Sequence, residues 1–293
     1  MKAAIYGQYY KEETISYIQE LLKTLDERNI EVVIEDKFHK VISRKLSVKK
    51  YATFSRHQDL DPSFDVLLTV GGDGTFLRAA TLVRNSGIPV LGINVGRLGF
   101  LATIQKDEIA TAIDLLLNKE YQITERSLLS VSTSEKNQVL AEMNIALNEI
   151  SVTRKNSTSM ITVETFLDDE YLTSYWADGL IIATPTGSTG YSLSCGGPVI
   201  TPETQSFVVT PIAPHNLNAR PLVIPDKTKI KLKVGTREKS VLVSLDSRIT
   251  AIDQSTWLFI EKAPYTLKTI QLNNQTFLKT LREKLLWGED RRN

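Results

Sequence analysis

Cysteine is nearly absent from this chain of 293 residues. The single one, Cys195, excludes an intramolecular disulfide and suits a reducing compartment. Histidine is almost as scarce, and His39, His57 and His215 are scattered without the spacing of metal ligands. Neither sign of charge is in excess: 35 Lys and Arg stand against 34 Asp and Glu, a net charge of +1. That balance gives no footprint for nucleic acid or for a membrane surface. No apolar run approaches membrane-spanning length. The apolar start at residues 3–6 meets Lys11, Glu12 and Glu13 too soon for a secretory leader, so a cytoplasmic protein is expected. Also missing are the phosphate-binding pattern Gly-x-x-x-x-Gly-Lys-Ser/Thr and the glycine loop and catalytic Asp-Asn set of protein kinases. What remains is 42% apolar and 24% charged, a globular composition. The length allows one large domain or two ordinary ones.

The first 120 residues alternate in period. Short apolar runs at 3–6, 30–34, 65–70 and 88–93 read as strands. Between them, residues 12–27 place Ile15, Ile18, Leu21, Leu22 and Leu25 on one helical face. Asp36 is placed to cap a helix running to about residue 46, and residues 48–62 lack clear periodicity. Residues 75–85 and 106–120 are helical by the same spacing. The alternation predicts a Rossmann-like α/β domain, a parallel sheet with helices on both faces. Such sheets bind ligands beyond the carboxyl ends of their strands. From residue 121 the texture changes to many short segments rich in Val, Ile, Thr and Tyr, which predicts an all-β sandwich. Phe277, Leu278, Leu281, Leu285 and Leu286 then recur at helical spacing, predicting a terminal helix that packs back on the first domain. The expected divisions are 1–120, 121–270 and 271–293.

The strand at 65–70 runs into Gly71-Gly72-Asp73-Gly74-Thr75 and then into a helix. Three glycines in four positions leave the backbone bare, and its amides with the helix N-terminus suit an anionic oxygen. A carboxylate in such a cradle fits a group that takes a proton from a hydroxyl, or one that holds a metal ion carrying the phosphate charge. The plainer alternative is a strand-to-helix turn with Asp73 as helix cap. A second glycine-bearing loop, Asn94-Val95-Gly96-Arg97-Leu98-Gly99-Phe100-Leu101, follows the strand ending at 93. Arg78, one turn beyond Gly74, could reach a phosphate or only face water.

Within the β region, Trp176-Ala177-Asp178-Gly179 leads through an apolar strand to Thr184-Pro185-Thr186-Gly187-Ser188-Thr189-Gly190-Tyr191-Ser192-Leu193-Ser194. The hydroxyls, the glycines and the Tyr191 ring suit a nucleotide's sugar and base better than a bare phosphate. The alternative is a surface loop built from common turn residues. Asn148-Glu149 offers a donor with an acceptor and a carboxylate, suited to a diol or amide edge, or is simply a solvated strand end. Cys195 reads as a small buried thiol rather than a nucleophile. Residues 220–225 read as a connector entering an edge strand.

Taken together and in order, Gly71–Thr75, Asn94–Leu101, Asn148-Glu149, Asp178-Gly179, Thr184–Ser194 with Gly196-Gly197-Pro198, and Ala219-Arg220-Pro221-Leu222-Val223 resemble the NAD kinases. The pentapeptide alone is shared with phosphofructokinases and with diacylglycerol or sphingosine kinases, whereas its combination with the Thr184 loop is specific. The resemblance implies ATP-dependent phosphorylation of the 2′-hydroxyl of the adenosine ribose of NAD, giving NADP. It implies a divalent metal, Mg2+, arriving with ATP, and a homo-oligomer, dimer or tetramer. It implies Asp73 as proton acceptor, with Gly71 and Gly72 beside the phosphates, Gly74 lining the NAD site and Arg78 as a basic contact. It implies Asn148 and Glu149 at the ribose and nicotinamide portion, and Asp178 at a further polar group. Thr189, Gly190, Tyr191, Ser192, Leu193 and Ser194 would enclose the adenosine, and Ala213 would line the pocket. Two departures stand out: Gly190 where the family usually has Ala, and Asp246-Ser247-Arg248 where many members have Asp-Gly-Gln. Arg248 could therefore meet a phosphate or only solvent. Two rivals stay open: a lipid or sugar kinase sharing the glycine turn, and a dinucleotide sensor without turnover.

Overall fold

The computed structural model describes residues 1–8, 13–46, 49–156 and 159–287. The expected helix start at 12, residue 48 of the aperiodic stretch and residues 288–293 of the tail lie outside them. The chain forms two compact units, one of Met1–Glu125 with Leu267–Asn293 and one of Arg126–Thr266.

The first unit starts with β1 (Lys2–Gly7), α1 (Glu13–Glu27), β2 (Glu31–Glu35), α2 (Asp36–Ser43) and β3 (Ala52–Phe54). It continues with β4 (Val66–Val70), α3 (Asp73–Val83), β5 (Val90–Asn94), β6 (Ile104–Gln105), α4 (Ile109–Leu117) and β7 (Tyr121–Arg126). The second unit holds β8 (Leu129–Thr133), α5 (Gln138–Glu142), β9 (Ile145–Ala146), β10 (Glu149–Thr153), β11 (Ile161–Leu167), β12 (Glu170–Ala177) and β13 (Gly179–Ala183). After these come α6 (Tyr191–Ser194), β14 (Ser206–Ile212), β15 (Leu222–Pro225), β16 (Ile230–Gly235), β17 (Ser240–Leu245), β18 (Arg248–Asp253) and β19 (Leu258–Lys262). The chain then returns to the first unit with β20 (Leu267–Leu272) and α7 (Phe277–Leu285).

The first sheet runs β3-β2-β1-β4-β5-β20-β7, with β6 beside β5. β1 pairs in parallel with β2 and β4, and β4 with β5. Side chains alternate across a strand. Val66, Leu68 and Val70 join the core formed with Ile18, Leu21 and Leu25 of α1 and Ile113 and Leu116 of α4. Leu67, between them, is buried on the opposite side, where α3 covers the sheet with Phe76, Ala79, Ala80 and Val83. β7 and β20 have the same short Thr- and Ile-containing texture as the β region that follows residue 121, yet they pair in this sheet. Composition marks a strand but does not choose its neighbour.

The second unit is two antiparallel sheets, β15-β14-β13-β10-β17-β18 and β12-β11-β16-β19-β8-β9. They share one core, with Ile150, Val152, Leu180, Ile182 and Val243 from the first and Val131, Val163, Leu232 and Ile260 from the second. β13 and β14 are buried along their whole lengths. Their second apolar row, Ile181, Ala183, Val208 and Ile212, packs with Ile200 and Cys195. The hydroxyl-rich loop therefore lies over the outer side of β13. Among the described residues no helix is long and apolar enough to cross a membrane.

One expected cap is replaced. The carboxylate of Glu35, not Asp36, accepts the backbone N–H of Phe38 at 2.8 Å, while Asp36 sits in the first turn and pairs with Lys40 at 2.6 Å. Glu35 is buried and Lys40 is exposed, so only the first bond is sheltered from water. Glu35→Ala is expected to lower stability by about 1 kcal/mol, and Asp36→Ala by about 0.5 kcal/mol or less. Urea unfolding of the two variants checks this, and equal losses would contradict it.

Candidate functional site

In the first unit Asp73 does not cap α3. Gly72 is the cap residue and makes no side-chain bond, and Asp73 is the first helical residue. Its carboxylate turns instead to the loop after β5. Oδ2 accepts the N–H of Phe100 at 2.8 Å, and Oδ1 accepts those of Leu101 at 2.9 Å and Ala102 at 3.0 Å. Successive amides pointing into one concavity form an anion nest, here filled by the protein's own acid. Gly99 makes the approach possible, because a Cβ there would lie 1.9 Å from Asp73 Oδ1. Asn94, buried at the end of β5, shapes the loop: its Oδ1 accepts Gly96 N–H at 2.7 Å and its Nδ2 donates to the carbonyls of Arg97 and Ala102. The segment around α7 braces the same loop. The Phe277 ring lies 6.4 Å from that of Phe100, Lys284 stands over the Phe100 ring, and Gln275 bonds both the hydroxyl and the carbonyl of Thr103.

Beside the Gly71–Gly74 turn the carboxyl ends of β1 and β2 open a cleft of about 650 Å³. Tyr6, Gly7, Glu35, Lys37, Ser55 and Arg78 are among its lining residues. Arg78 is exposed on α3 and faces this cleft.

In the second unit Asn148 and Glu149 stand at the start of β10. The 184–190 loop is pressed against them: Thr184 N–H donates to the Asn148 carbonyl at 2.9 Å, Thr184 Oγ1 donates to the Leu147 carbonyl at 2.6 Å, and a Cβ on Gly187 would meet the Asn148 carbonyl oxygen at 2.0 Å. At Gly190 a Cβ would lie 3.2 Å from Glu149 Oε2, so glycine leaves that carboxyl room. Asn148 Oδ1 and Glu149 Oε2 are buried and have no hydrogen-bond partner. Burial first, and the neighbouring Asp246 second, push the Glu149 carboxyl up to about 8, against the effect of the Tyr191 N–H that it accepts. Burial likewise raises Asp246, which three backbone amides and Arg248 oppose. Three backbone donors thus face the Asp246 carboxyl, whereas Glu149 Oε2 has no partner.

The loop's hydroxyls differ from the sequence expectation. Ser192 is buried and pairs with Thr210 at 2.8 Å, Ser188 donates to the Pro185 and Ile200 carbonyls, and Thr189 donates to the Thr186 carbonyl. A tight helical turn leaves carbonyls unsatisfied, and short hydroxyl side chains are placed to meet them. The exposed residues here are Tyr191 and Ser194, with Leu193 half-buried. Asp178 lies where the chain passes from β12 in one sheet to β13 in the other, and pairs with Arg154 at 2.9 Å. Ala213 is exposed, with φ of 43°. Arg248 points its guanidinium at the Met143 and Ile145 carbonyls and lies 3.9 Å from Asp246. Sequence reasoning missed Asp246 itself as a functional candidate. The signal was a turn at 246–248 between two alternating strands, read only as a departure from a family pattern.

The structure thus gathers Asn148, Glu149, Gly190 and Tyr191 in one place. It puts Gly71–Gly74 and Arg78 at the rim of the parallel sheet. Residues 4–121 match the model of the ATP-NAD kinase N-terminal domain, and residues 147–272 that of the ATP-NAD kinase C-terminal domain. NAD kinases of Flavobacterium psychrophilum and Christiangramia forsetii are 59% and 58% identical over the full length of both chains. One of Bacteroides fragilis is 42% identical, again over the full length of each. Among solved structures, an Archaeoglobus fulgidus NAD kinase in complex with ATP shares 25% identity and a TM-score of 0.76 over 98% of this chain and 99% of that one. Yeast NADH kinase complexed with NADH shares the fold, with a TM-score of 0.88 at 24% identity over 99% of this chain and 88% of that one. By both of its domains and along its whole length, the chain belongs to the NAD kinase family.

Proposed function

We propose that the chain performs its family's reaction, transfer of the γ-phosphoryl group of ATP to the 2′-hydroxyl of the adenosine ribose of NAD, with Asp73 as the proton acceptor. The observation that carries this is the nest around Asp73. A carboxylate offers roughly four lone-pair directions. Three amides take two on Oδ1 and one on Oδ2, which leaves a single direction on Oδ2 for a substrate hydroxyl. A base held this rigidly needs no reorganisation when the hydroxyl arrives.

The first unit is assigned to ATP. The amides of Gly71, Gly72 and Gly74 with the N-terminus of α3 suit its phosphates, and the cleft beside them, with Arg78, suits its nucleoside. The domain division expected at 1–120, 121–270 and 271–293 carries over with β7 and β20 on the ATP side. The second unit is assigned to NAD. Asn148 and Glu149 read the ribose and nicotinamide portion, Asp178 a further polar group, and Thr189–Ser194 with Ala213 enclose the adenosine. Of the latter, Gly190 gives room and Tyr191 a ring face, while Ser192 holds the loop's shape. Arg248 acts through the backbone that it braces.

Mg2+ is assigned as well. It would arrive with ATP rather than in a site of the protein's own. When bound, it neutralises charge on the transferring group. A homo-oligomer, dimer or tetramer, in the cytoplasm completes the reading, and the single cysteine suits that compartment.

The purified protein with ATP, Mg2+ and NAD, read by an NADP-specific dehydrogenase, tests the reaction. Product supports it, NAD binding without product points to a sensor, and neither points to another acceptor. Asp73→Asn is expected to lower turnover by about 10²-fold or more. It also puts an NH2 against an amide N–H, lowering stability by about 1–3 kcal/mol, so the assay belongs well below its melting temperature. Parent-like turnover would remove Asp73 as the base. Gly99→Ala should displace the same carboxylate and reduce kcat by about tenfold or more, with the far-ultraviolet circular dichroism unchanged.

A further inference from the structure

The backbone of residues 147–149 is closed off on both sides by side chains. The N–H groups of Leu147, Asn148 and Glu149 all donate to the Asp246 carboxylate, at 3.1, 2.7 and 3.2 Å. Their carbonyls accept from Thr184 Oγ1, Thr184 N–H and Asp246 N–H in turn. Every main-chain polar group of the segment is therefore satisfied from within the unit, and only the two side chains remain open. A buried polar atom without a partner is rare in folded proteins and calls for an explanation. Here there are two, adjacent, on Asn148 and Glu149.

We propose that Asp246 is a positioning residue for dinucleotide recognition: its carboxylate sets the backbone of residues 147–149 so that the Asn148 and Glu149 side chains meet one polar edge of the ligand together. The inference rests on the assignment of NAD to this unit. Leu245 pairs with Arg248 across the hairpin, so Asp246 and Ser247 form a two-residue turn. Asp246 takes the left-handed conformation there, with φ of 52°, and its carbonyl accepts from Ser244 Oγ at 2.8 Å. Asparagine enters that conformation as readily as aspartate. The turn therefore does not require a charge, but three converging N–H donors do favour one.

The charge has a second effect. Around Glu149 stand Asp246 and Arg248 on the β17–β18 hairpin, Asn148 beside it, and on α6 the N–H and phenol of Tyr191. The Glu149 carboxyl, pushed up to about 8, keeps its proton at neutral pH, and its Oε2 and the Nδ2 of Asn148 both face Gly190. A carboxyl and an amide on adjacent residues, each with an unpartnered oxygen, offer both a donor and an acceptor, which match a hydroxyl or an amide edge. As pH rises through about 8 that proton is lost, and the grip on NAD weakens.

Steady-state kinetics of the parent, Asp246→Asn, Asp246→Glu and Glu149→Gln between about pH 6 and 9 test the proposal, the ordinary glutamate range lying well below that window. The KM for NAD of the parent should rise above pH 8. Asp246→Asn should raise that KM by about tenfold, the effect of a charge-assisted contact of about 1.4 kcal/mol, leave the KM for ATP within about twofold, and move the inflection to lower pH. Asp246→Glu, which keeps the charge, should retain the inflection. Glu149→Gln should abolish it. A parent-like KM for NAD in Asp246→Asn, an equal rise for both substrates, or an unmoved inflection would overturn the proposal. Should Asp246→Asn fail to fold, Asp246→Glu decides by the same KM split: its longer side chain keeps the charge but shifts the three amides it holds, so the KM for NAD should rise, and no rise would overturn the proposal. A parent that makes no NADP defeats the functional assignment instead, and NAD titration calorimetry on the same four proteins then judges the role of Asp246 alone.

Discussion

Three consecutive backbone amides closing on one carboxylate is the constraint on which both units rely. In the first, Phe100, Leu101 and Ala102 close on Asp73, and in the second, Leu147, Asn148 and Glu149 close on Asp246. A hydrogen bond to a charged group contributes about 1.5–3 kcal/mol, and leaving such a group unpaired costs more. Each aspartate therefore holds a loop that has little regular structure. The two outcomes differ. Both keep one lone-pair direction on Oδ2, but Asp73 is only half-buried whereas the Asp246 side chain is 5% exposed, with Arg248 3.9 Å away.

The hydroxyl-rich loop follows the same economy. Thr184, Ser188 and Ser192 are buried and bonded within the unit, so chemistry that looks outward in one dimension is largely internal in three. What faces out is the Tyr191 ring, and what faces the orphaned pair is the bare backbone at Gly190. Rigidity comes from the hydroxyls, and contact is left to an aromatic face and to main chain.

Much of this was legible beforehand because it rests on period. The 3.6-residue spacing in α1 and the apolar runs at β1, β4 and β5 read as a parallel α/β layer, and the short Val- and Ile-rich segments after residue 121 as a sandwich. The resemblance to NAD kinases agrees with both family models. Partner choice was not legible: β7 and β20 look like their neighbours in sequence and differ only in which edge they join. Nor was the Glu35 cap, since Asp36 has the better local propensity and burial decided otherwise. Asp246 lies 97 residues from Glu149, and no local pattern encodes an acid turned toward amides that distant. The direction of a hydroxyl is set by which carbonyl a turn leaves bare, which residue type alone does not tell.

The first unit is interrupted: β20 and α7 follow the whole of the second unit in the chain. On the ribosome, residues 1–125 emerge with β5 and β7 lacking the strand that separates them, an open edge that invites wrong pairing. The sandwich, contiguous from 126 to 266, can finish first. Phe277 and Gln275, which brace the loop around Asp73, are translated after the whole of the sandwich. The sandwich thus forms from a continuous stretch of chain, whereas the loop that holds Asp73 is braced only after that stretch has been made.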